Sequence, residues 1–534
     1  MKKIYLITLL LIGYSGISQE TVIATIAYQG YEEDQAFFGQ GEYEIFLDNV
    51  DAVLDKPIVL MDGFDPGDNL LIDDMYSLLD FDGGNMADIL RDLGYDVVIL
   101  NFPVYITDAT IIDGGSDYIQ RNAFVLVELL NIINDQKVGD EELVVLGPSV
   151  GGLVSRYALS YMEQNSIPHE TRLYISFDTP HYGANLPISF QYLINYFAKA
   201  QDIPEAQELI DTLLNSPVAK EILIDHFTAH LEDGSDYEQD PSLLLPAGAP
   251  DFRDAFQAEL DALGFPSNIR NVAIVNGSGI SQTTGTPGME ILNTTIDLGG
   301  GVTIDLGIHF TPDAGESINI TSFESFFFGI PVTTFEADAQ SPAESAGFDS
   351  TPGGTASIAA ALGDGGGNPI IIEIIESLAQ DEFSFVPVLS SLAIENEDDW
   401  YASPDIGGIH TSPFVNAFIP DVNEPHLSLT PESVEFALEE ILNPPLSNGD
   451  FNLSDKYILI ENPVSEVINI GLDRGFLYEN VELSVYSISG QKIYFQKFEN
   501  PRDEILLNAS FAKGMFILNI IDSEGSYTKK FFVK

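Results

Sequence analysis

The sequence has no cysteine, so neither disulfide bonds nor thiolate chemistry is available to it. Basic residues are also scarce, because only 21 Lys and Arg accompany 83 Asp and Glu, for a formal net charge of −62. Without a basic patch to offset phosphate charge, nucleic acid is excluded as a partner, and anionic membranes should repel the chain. No uninterrupted apolar run predicts a transmembrane segment, and no EF-hand loop predicts a metal site.

The chain has 534 residues, 45% of them hydrophobic, which predicts more than one domain and a large core. Residues 1–18 are typical of a signal peptide, since Lys2 and Lys3 precede the apolar run 4–12 and the small-residue segment 16–18. We therefore expect a protein that is secreted or held at the outer cell surface.

Strand and helix patterns alternate through much of the chain, which favours a mainly parallel sheet between helices. Residues 187–263 instead read as helices, among them one over residues 218–230, and predict a helical cap. Residues 277–370 predict a β-rich insertion. A Pro- and Asn-rich linker at 443–450 ends this region. The sequence thus predicts an α/β domain at 19–445, followed by a small β-sandwich at 446–534.

Gly147-Pro148-Ser149-Val150-Gly151 lies between the apolar strand 143–146 and a helix that begins directly afterwards. This context is typical of a nucleophile elbow, in which the small residues Gly147 and Gly151 allow a tight turn that exposes the serine hydroxyl. A Gly/Ser-rich turn with no chemical role is the alternative interpretation.

The core resembles the α/β-hydrolase superfamily, closest to its lipase-like members. The resemblance covers residues 56–445 and is carried by KPIVLMDGFDP, GPSVGGLVSRYAL, LYISFDTPHYGA and NEPHLSLTPESVEFALEEIL. Many lipases have a histidine at the place of Pro148, a position that donates no catalytic atom. In this fold the catalytic residues come in the order serine, acid, histidine.

The resemblance implies His426 as the base, because it precedes the last amphipathic helix, and His410 is its rival. It implies Asp178 as the acid, since this residue directly follows the strand 173–177. Asp349 and Asp381 stay open as alternatives. His181, in a Thr-Pro-His motif common in lipases, is expected to support the pocket. The remaining histidines are expected at the surface of helices or strands: His169, His226, His230 and His309.

An oxyanion hole needs two backbone N–H groups aimed at the developing charge. We expect one from Val150, which follows the nucleophile, and one from Phe64 in the loop after the strand 58–61. Gly63 should let this loop approach the substrate. Such chemistry requires no metal and no cofactor.

The C-terminal segment looks like the sorting domain of the type IX (Por) secretion pathway. Residues 462–464, 486–491, 513–518 and 529–534 carry the match. Charge agrees with a separate module, because residues 451–534 hold 9 Lys/Arg and 11 Asp/Glu and are nearly neutral. The resemblance implies the type IX machinery as a partner, and a carbohydrate- or surface-binding sandwich is the alternative.

Together these features predict a secreted serine hydrolase that cleaves carboxylic esters, with a lipid or polyester as substrate because the cap is apolar. An amidase or peptidase with the same residues is one alternative. A non-catalytic surface-binding protein on a degenerate hydrolase fold is the other.

Overall fold

A computed structural model of the chain describes residues 19–443, except 364, 396, 397, 405 and 407–410. In the C-terminal part it describes residues 457–459, 467–472, 480–487, 492–499, 501–502, 504–508, 514–522 and 526–533. The predicted signal peptide, most of the linker and His410 lie outside the described residues. The chain divides between Leu442 and Asn443 into two compact units. The predicted domain limits stay predictions.

The strands of the first unit are β1 Glu20–Tyr28, β2 Phe37–Phe46, β3 Pro57–Met61, β4 Asp80–Phe81, β5 Gly84–Asn85, β6 Asp96–Asn101, β7 Val104–Thr107, β8 Thr110–Asp113, β9 Leu143–Pro148, β10 Thr171–Phe177, β11 Arg270–Ile274, β12 Glu290–Gly299, β13 Val302–His309, β14 Ser317–Phe327, β15 Ile330–Gln340, β16 Gly353–Ser357, β17 Glu382–Pro387 and β18 Asn416–Phe418. Its α-helices are α1 Ile72–Ser77, α2 Met86–Asp92, α3 Ile119–Gln136, α4 Val150–Gln164, α5 Ile188–Lys199, α6 Pro204–Leu209, α7 Pro217–Ile222, α8 Arg253–Leu263, α9 Ile358–Leu362, α10 Pro369–Ser377, α11 Val388–Ser391 and α12 Pro431–Leu442. A π turn covers Ile210–Leu214, and 3-10 turns cover Gly114–Ser116, Phe227–Ala229, Phe348–Ser350 and Gly365–Gly367.

The main sheet has eight strands in the order β1-β2-β6-β3-β9-β10-β11-β18. The pairs β1–β2 and β2–β6 are antiparallel, and every later neighbour pair is parallel. Crossover helices join the parallel strands, as the alternating pattern requires. The predicted α/β-hydrolase fold is confirmed, whereas the three-residue strand β18 is too short to show a periodic signal and was not predicted.

Both faces of this sheet are buried, so its central strands are continuously apolar. On one face, alternate residues such as Val59, Val145 and Tyr174 pack with helices α3 and α4. On the other face, their neighbours, including Leu60 and Leu146, pack with α1, α2 and α12. The site described below lies where the sheet strands end.

The cap and the β-rich insertion form one packed body over the strand ends. Helices α5, α6 and α7 share a buried core with the antiparallel sheet β12-β13-β14-β15 and with α9 and α10. One predicted helix is wrong, because residues 218–230 do not form a continuous helix. After α7 the backbone is extended at Leu223. The Ala184 N–H donates to the Ile222 carbonyl and the Ile224 N–H donates to the Ala184 carbonyl, and this pairing ends the helix.

The C-terminal unit contains two sheets, β19-β20-β23 and β22-β21-β24-β25. Its strands are β19 Tyr457–Leu459, β20 Val467–Leu472, β21 Asn480–Ser487, β22 Lys492–Glu499, β23 Glu504–Asn508, β24 Gly514–Ile521 and β25 Ser526–Val533. Ile468, Val481, Leu507 and Leu518 come from both sheets and share one core. The predicted small sandwich is therefore confirmed.

Within the described ranges, no helix is both long and apolar enough to cross a membrane.

Candidate active site

Ser149 lies at the junction between β9 and α4, with φ 48° and ψ −127°. A serine rarely adopts a positive φ, and such strain costs roughly 1–3 kcal/mol and clusters at functional sites. The turn is held by a hydrogen bond of 2.8 Å from the Ser149 N–H to the Phe177 carbonyl on the adjacent strand. Ser149 is thus displayed on a sharp strand-to-helix turn.

Glycines surround this turn because neighbouring atoms leave no room for a Cβ atom. A Cβ on Gly147 would lie 2.5 Å from the Gly152 Cα, and one on Gly151 would lie 2.7 Å from the Asp62 carbonyl oxygen. A Cβ on Gly152 would meet the Thr179 Oγ1 at 1.8 Å. These glycines serve close approach, since the positive φ falls on the serine itself.

His426 joins two of the predicted site residues. The Ser149 Oγ donates to its Nε2 at 2.9 Å, and its Nδ1 donates to the Asp178 Oδ2 at 2.7 Å. Because an ionised carboxylate can only accept, this arrangement puts the imidazole proton on Nδ1 and leaves Nε2 as the acceptor. The structure therefore brings Ser149, His426 and Asp178 into one chain of hydrogen bonds.

Asp178 follows β10 directly and is fully buried, with φ 45°. Its second oxygen, Oδ1, accepts from the Asn276 N–H at 3.2 Å. A Cβ on Gly354 would lie 2.1 Å from the Asp178 Oδ2, so strand β16 passes closely over this carboxylate. Asp178 is thereby fixed against His426 from two sides.

The two rival carboxylates make their hydrogen bonds elsewhere. Asp349 is buried and accepts from the Thr311 N–H at 2.7 Å and from the Asn185 side chain at 3.0 Å. Asp381 accepts from the Ser357 hydroxyl and the Ala359 N–H at the start of α9. Both have structural partners in the cap and insertion.

The loop that carries His426 is anchored by groups that no sequence motif marks. The Leu427 N–H donates to the Asn276 Oδ1 at 2.9 Å, and the His426 N–H donates to the Thr355 carbonyl at 2.9 Å. The Asn276 Nδ2 donates to Glu424 at 3.0 Å. A polar residue just beyond the carboxyl end of β11 was the available signal.

The loop after β3 places Gly63 and Phe64 beside the serine. A Cβ on Gly63 would lie 3.4 Å from the Ser149 Cβ. Val150 begins α4, so its N–H has no carbonyl one turn earlier in the helix. Among the described residues neither Phe64 nor Val150 donates its N–H to a protein group. Both N–H groups therefore keep their hydrogen-bonding capacity in the described part of the chain.

Asp62 lines the same cavity and is an unusual carboxyl. Burial, together with the nearby charge of Asp65, raises the pKa of Asp62 to about 7. Its Oδ1 accepts from the Gly63 N–H at 2.7 Å, and its Oδ2 is buried without a partner in the described part of the chain. Near neutral pH this group therefore changes charge beside the loop of Phe64.

Ser149 and His426 open into a cavity of about 350 Å³ whose other walls are mainly apolar. Leu60, Leu146 and Phe177 form the wall at the sheet, and Met75 and Leu78 form the wall at α1. Across the described ranges no cluster of His, Asp or Glu could hold a metal ion. The arrangement can activate a hydroxyl beside an apolar group.

His181 lies outside this cavity. It is fully buried, hydrogen-bonds through Nε2 to the Ser176 hydroxyl at 3.0 Å, and packs on Phe265 and Phe414. Burial, reinforced by the Arg156 charge, holds its pKa well below 6.5. A neutral His181 therefore supports strand β10 through the Ser176 hydroxyl.

The predicted surface position is wrong for three of the four remaining described histidines. His169, His226 and His230 are all buried, and the His230 Nε2 meets the Asp225 carboxylate at 2.6 Å.

Comparisons with known proteins agree with this geometry. Residues 120–205 match the family described as "Putative serine esterase (DUF676)", a segment that contains Ser149 and Asp178. Residues 462–534 match the secretion system C-terminal sorting domain. A search of curated proteins finds no match.

Among solved structures, Est1E from Butyrivibrio proteoclasticus is 8% identical over 44% of this chain and 73% of its own, with a TM-score of 0.23. XC6422 from Xanthomonas campestris, an a/b serine hydrolase without a lid, is 19% identical over 31% and 63%, with a TM-score of 0.19. A Pyrobaculum calidifontis esterase is 9% identical over 48% and 65%, with a TM-score of 0.24. All three TM-scores are low, so these structures show no more about the fold than the strand order of the main sheet already does. The chain is thus similar to putative serine esterases over residues 120–205, which supports a hydrolase. Its similarity to the secretion system sorting domain over residues 462–534 implies the type IX machinery and export to the cell surface or exterior.

Proposed function

We propose that the protein is a serine hydrolase that cleaves carboxylic esters through an acyl-enzyme on Ser149. The observation that carries the proposal is the hydrogen-bond chain from the Ser149 hydroxyl through His426 to Asp178. A serine hydroxyl becomes a nucleophile when a neutral imidazole takes its proton, and a carboxylate holds that imidazole in the required tautomer.

In the first half-reaction the Ser149 Oγ bonds to the ester carbonyl carbon while its proton moves to the His426 Nε2. The carbonyl oxygen becomes an oxyanion and accepts from the N–H groups of Phe64 and Val150. The carbon–oxygen bond to the alcohol then breaks, and the His426 proton goes to the departing alkoxide. Water, deprotonated by His426, releases the acid by the reverse sequence.

The apolar walls of the cavity favour an ester of low polarity, such as a lipid or a polyester. The chain's net charge of −62 adds a second preference. This field repels a released carboxylate and so favours departure of the acid product. For the same reason it favours neutral or cationic substrates over anionic ones. No cofactor enters these steps.

The test compares Ser149→Ala with Ser155→Ala on 4-nitrophenyl butyrate. Ser155 lies on the same helix, but its hydroxyl donates to the Gly151 carbonyl at 2.7 Å and does not line the cavity. We expect Ser149→Ala to abolish turnover and labelling by a fluorophosphonate probe, and Ser155→Ala to keep both.

His426→Ala should cost as much as Ser149→Ala, to within about tenfold, because members of a triad act as a unit. His410→Ala should have a mild effect. The opposite result for the two histidines would move the base to His410. Unchanged turnover in Ser149→Ala would move the nucleophile to another residue, whereas no turnover and no probe labelling in the parent protein would favour a non-catalytic surface-binding protein.

A further inference from the structure

A second cavity, of about 220 Å³, lies under the cap next to the one that contains Ser149. Below we call it the cap chamber, and we call the cavity lined by Ser149 and His426 the body chamber. Leu213, Leu214 and Ile222 line the cap chamber from the cap helices, and Ala361 and Phe383 line it from α9 and β17. It thus lies between the cap and the insertion.

The two chambers meet at one pair of aromatic residues. Phe64 and Phe385 line both of them. Phe64 belongs to the proposed oxyanion loop, and the Phe385 ring lies edge-on to the His426 imidazole, with ring centroids 4.9 Å apart. An ester held at Ser149 is therefore next to both chambers at once.

The cap chamber offers a ligand nothing to hydrogen-bond with through its side chains. Ser357 is its single polar lining residue, and the Ser357 hydroxyl already donates to Asp381 at 2.7 Å and accepts from the Ala360 N–H at 2.9 Å. A polar group placed there would lose its hydrogen bonds to water without replacement. The chamber consequently suits an alkyl or aromatic group.

We propose that the substrate is an ester with apolar groups on both sides of its carbonyl, and that the cap chamber binds the alcohol portion. The inference rests on the proposed ester hydrolysis. The acyl group stays bonded to Ser149 after the alcohol has left, so it takes the body chamber, which Ser149 itself lines. The alcohol portion extends past Phe64 and Phe385 into the cap chamber.

Two ester series test the assignment with the full-length protein. One series varies the acyl chain of 4-nitrophenyl esters. The other varies the alcohol of linear alkyl butyrates, and its hydrolysis is measured by the release of butyric acid. In both series kcat/KM should rise about fourfold for each methylene that a chamber buries, until the chamber is full.

Three variants connect each series to its chamber. Ala361→Phe narrows the cap chamber and should shorten the preferred alcohol while leaving the preferred acyl chain unchanged. Leu78→Trp narrows the body chamber and should do the reverse. Ala359→Phe lies on the same helix as Ala361 but outside the chamber, and should change neither preference.

If Ala361→Phe does not fold, Leu213→Ala widens the same chamber from the other side and should lengthen the preferred alcohol. The inference is overturned if kcat/KM rises with chain length in the acyl series alone, or if the cap-chamber variants shift the acyl preference. In either case hydrolysis persists and the proposed function stands. No turnover of any ester would overturn both.

Discussion

Replacing Asp178 with asparagine tests which carboxylate holds the base. The Asp178 Oδ2 accepts from the His426 Nδ1 at 2.7 Å. An asparagine fits the same volume, but its amide can donate to Nδ1 and so favours the tautomer with the proton on Nε2. In that tautomer His426 no longer accepts from Ser149, and the nucleophile is not activated.

The expected loss in kcat is about 10⁴-fold, the effect of the same change in a serine protease triad. At 1.36 kcal/mol for each tenfold change in rate, this corresponds to ~5.5 kcal/mol of transition-state stabilisation. The fold should survive, because the asparagine Oδ1 can still accept from the Asn276 N–H and no cavity is created. Thermal unfolding and circular dichroism check that expectation.

Asp349→Asn and Asp381→Asn are the matched controls. Each removes a carboxylate that is bonded to groups other than His426, such as the Thr311 N–H or the Ser357 hydroxyl. They can lower stability, but kcat per folded molecule should stay within about tenfold of the parent, since neither touches the reacting atoms. The reasoning is refuted if either control matches the loss in Asp178→Asn, or if Asp178→Asn itself keeps near-parental kcat.

Three further expectations follow from the same structure. Gly354→Ala inserts a Cβ 2.1 Å from the Asp178 Oδ2 and should lower kcat about 10²-fold with a folded protein; an unchanged kcat would mean that the carboxylate position does not matter. Burial raises the pKa of Asp62 to about 7 in the folded protein, whereas in the unfolded chain this carboxyl ionises near pH 3.8. The folded state therefore holds the proton more tightly, and the parent protein loses stability as the pH rises from about 4 to 7. Asp62→Asn lacks this titration. The free energy of unfolding of the variant minus that of the parent, measured in urea, should therefore grow by up to about 4 kcal/mol between pH 4 and pH 7.5. An equal difference at both pH values would contradict the raised pKa of Asp62. A chain ending at residue 448 should hydrolyse esters like the full chain but stay in the periplasm of the native host, whereas loss of substrate adhesion with normal export would identify the tail as a binding module.

Local sequence determined a large part of the fold and, in the candidate site, the position of the serine. Contiguous residues predict the elbow at Ser149: an apolar strand, a Gly-x-Ser-x-Gly turn and then apolar residues at helical spacing. The strands of the C-terminal sandwich were equally readable, because they are short, regularly spaced and separated by polar turns. The helix predicted over 218–230 failed because tertiary pairing with Ala184 overrides helix propensity after Ile222.

The tertiary structure alone decided which distant side chains meet. Asp178 and His426 are 248 positions apart, and no local pattern separated Asp178 from Asp349 or Asp381. The parallel register of β9, β10 and β11 brings their carboxyl ends to one edge, where Asn276 fixes the histidine loop. The cap chamber likewise exists only because cap and insertion pack together. Periodicity records which face of an element is buried, whereas the partners of a buried group depend on the order of strands in the sheet.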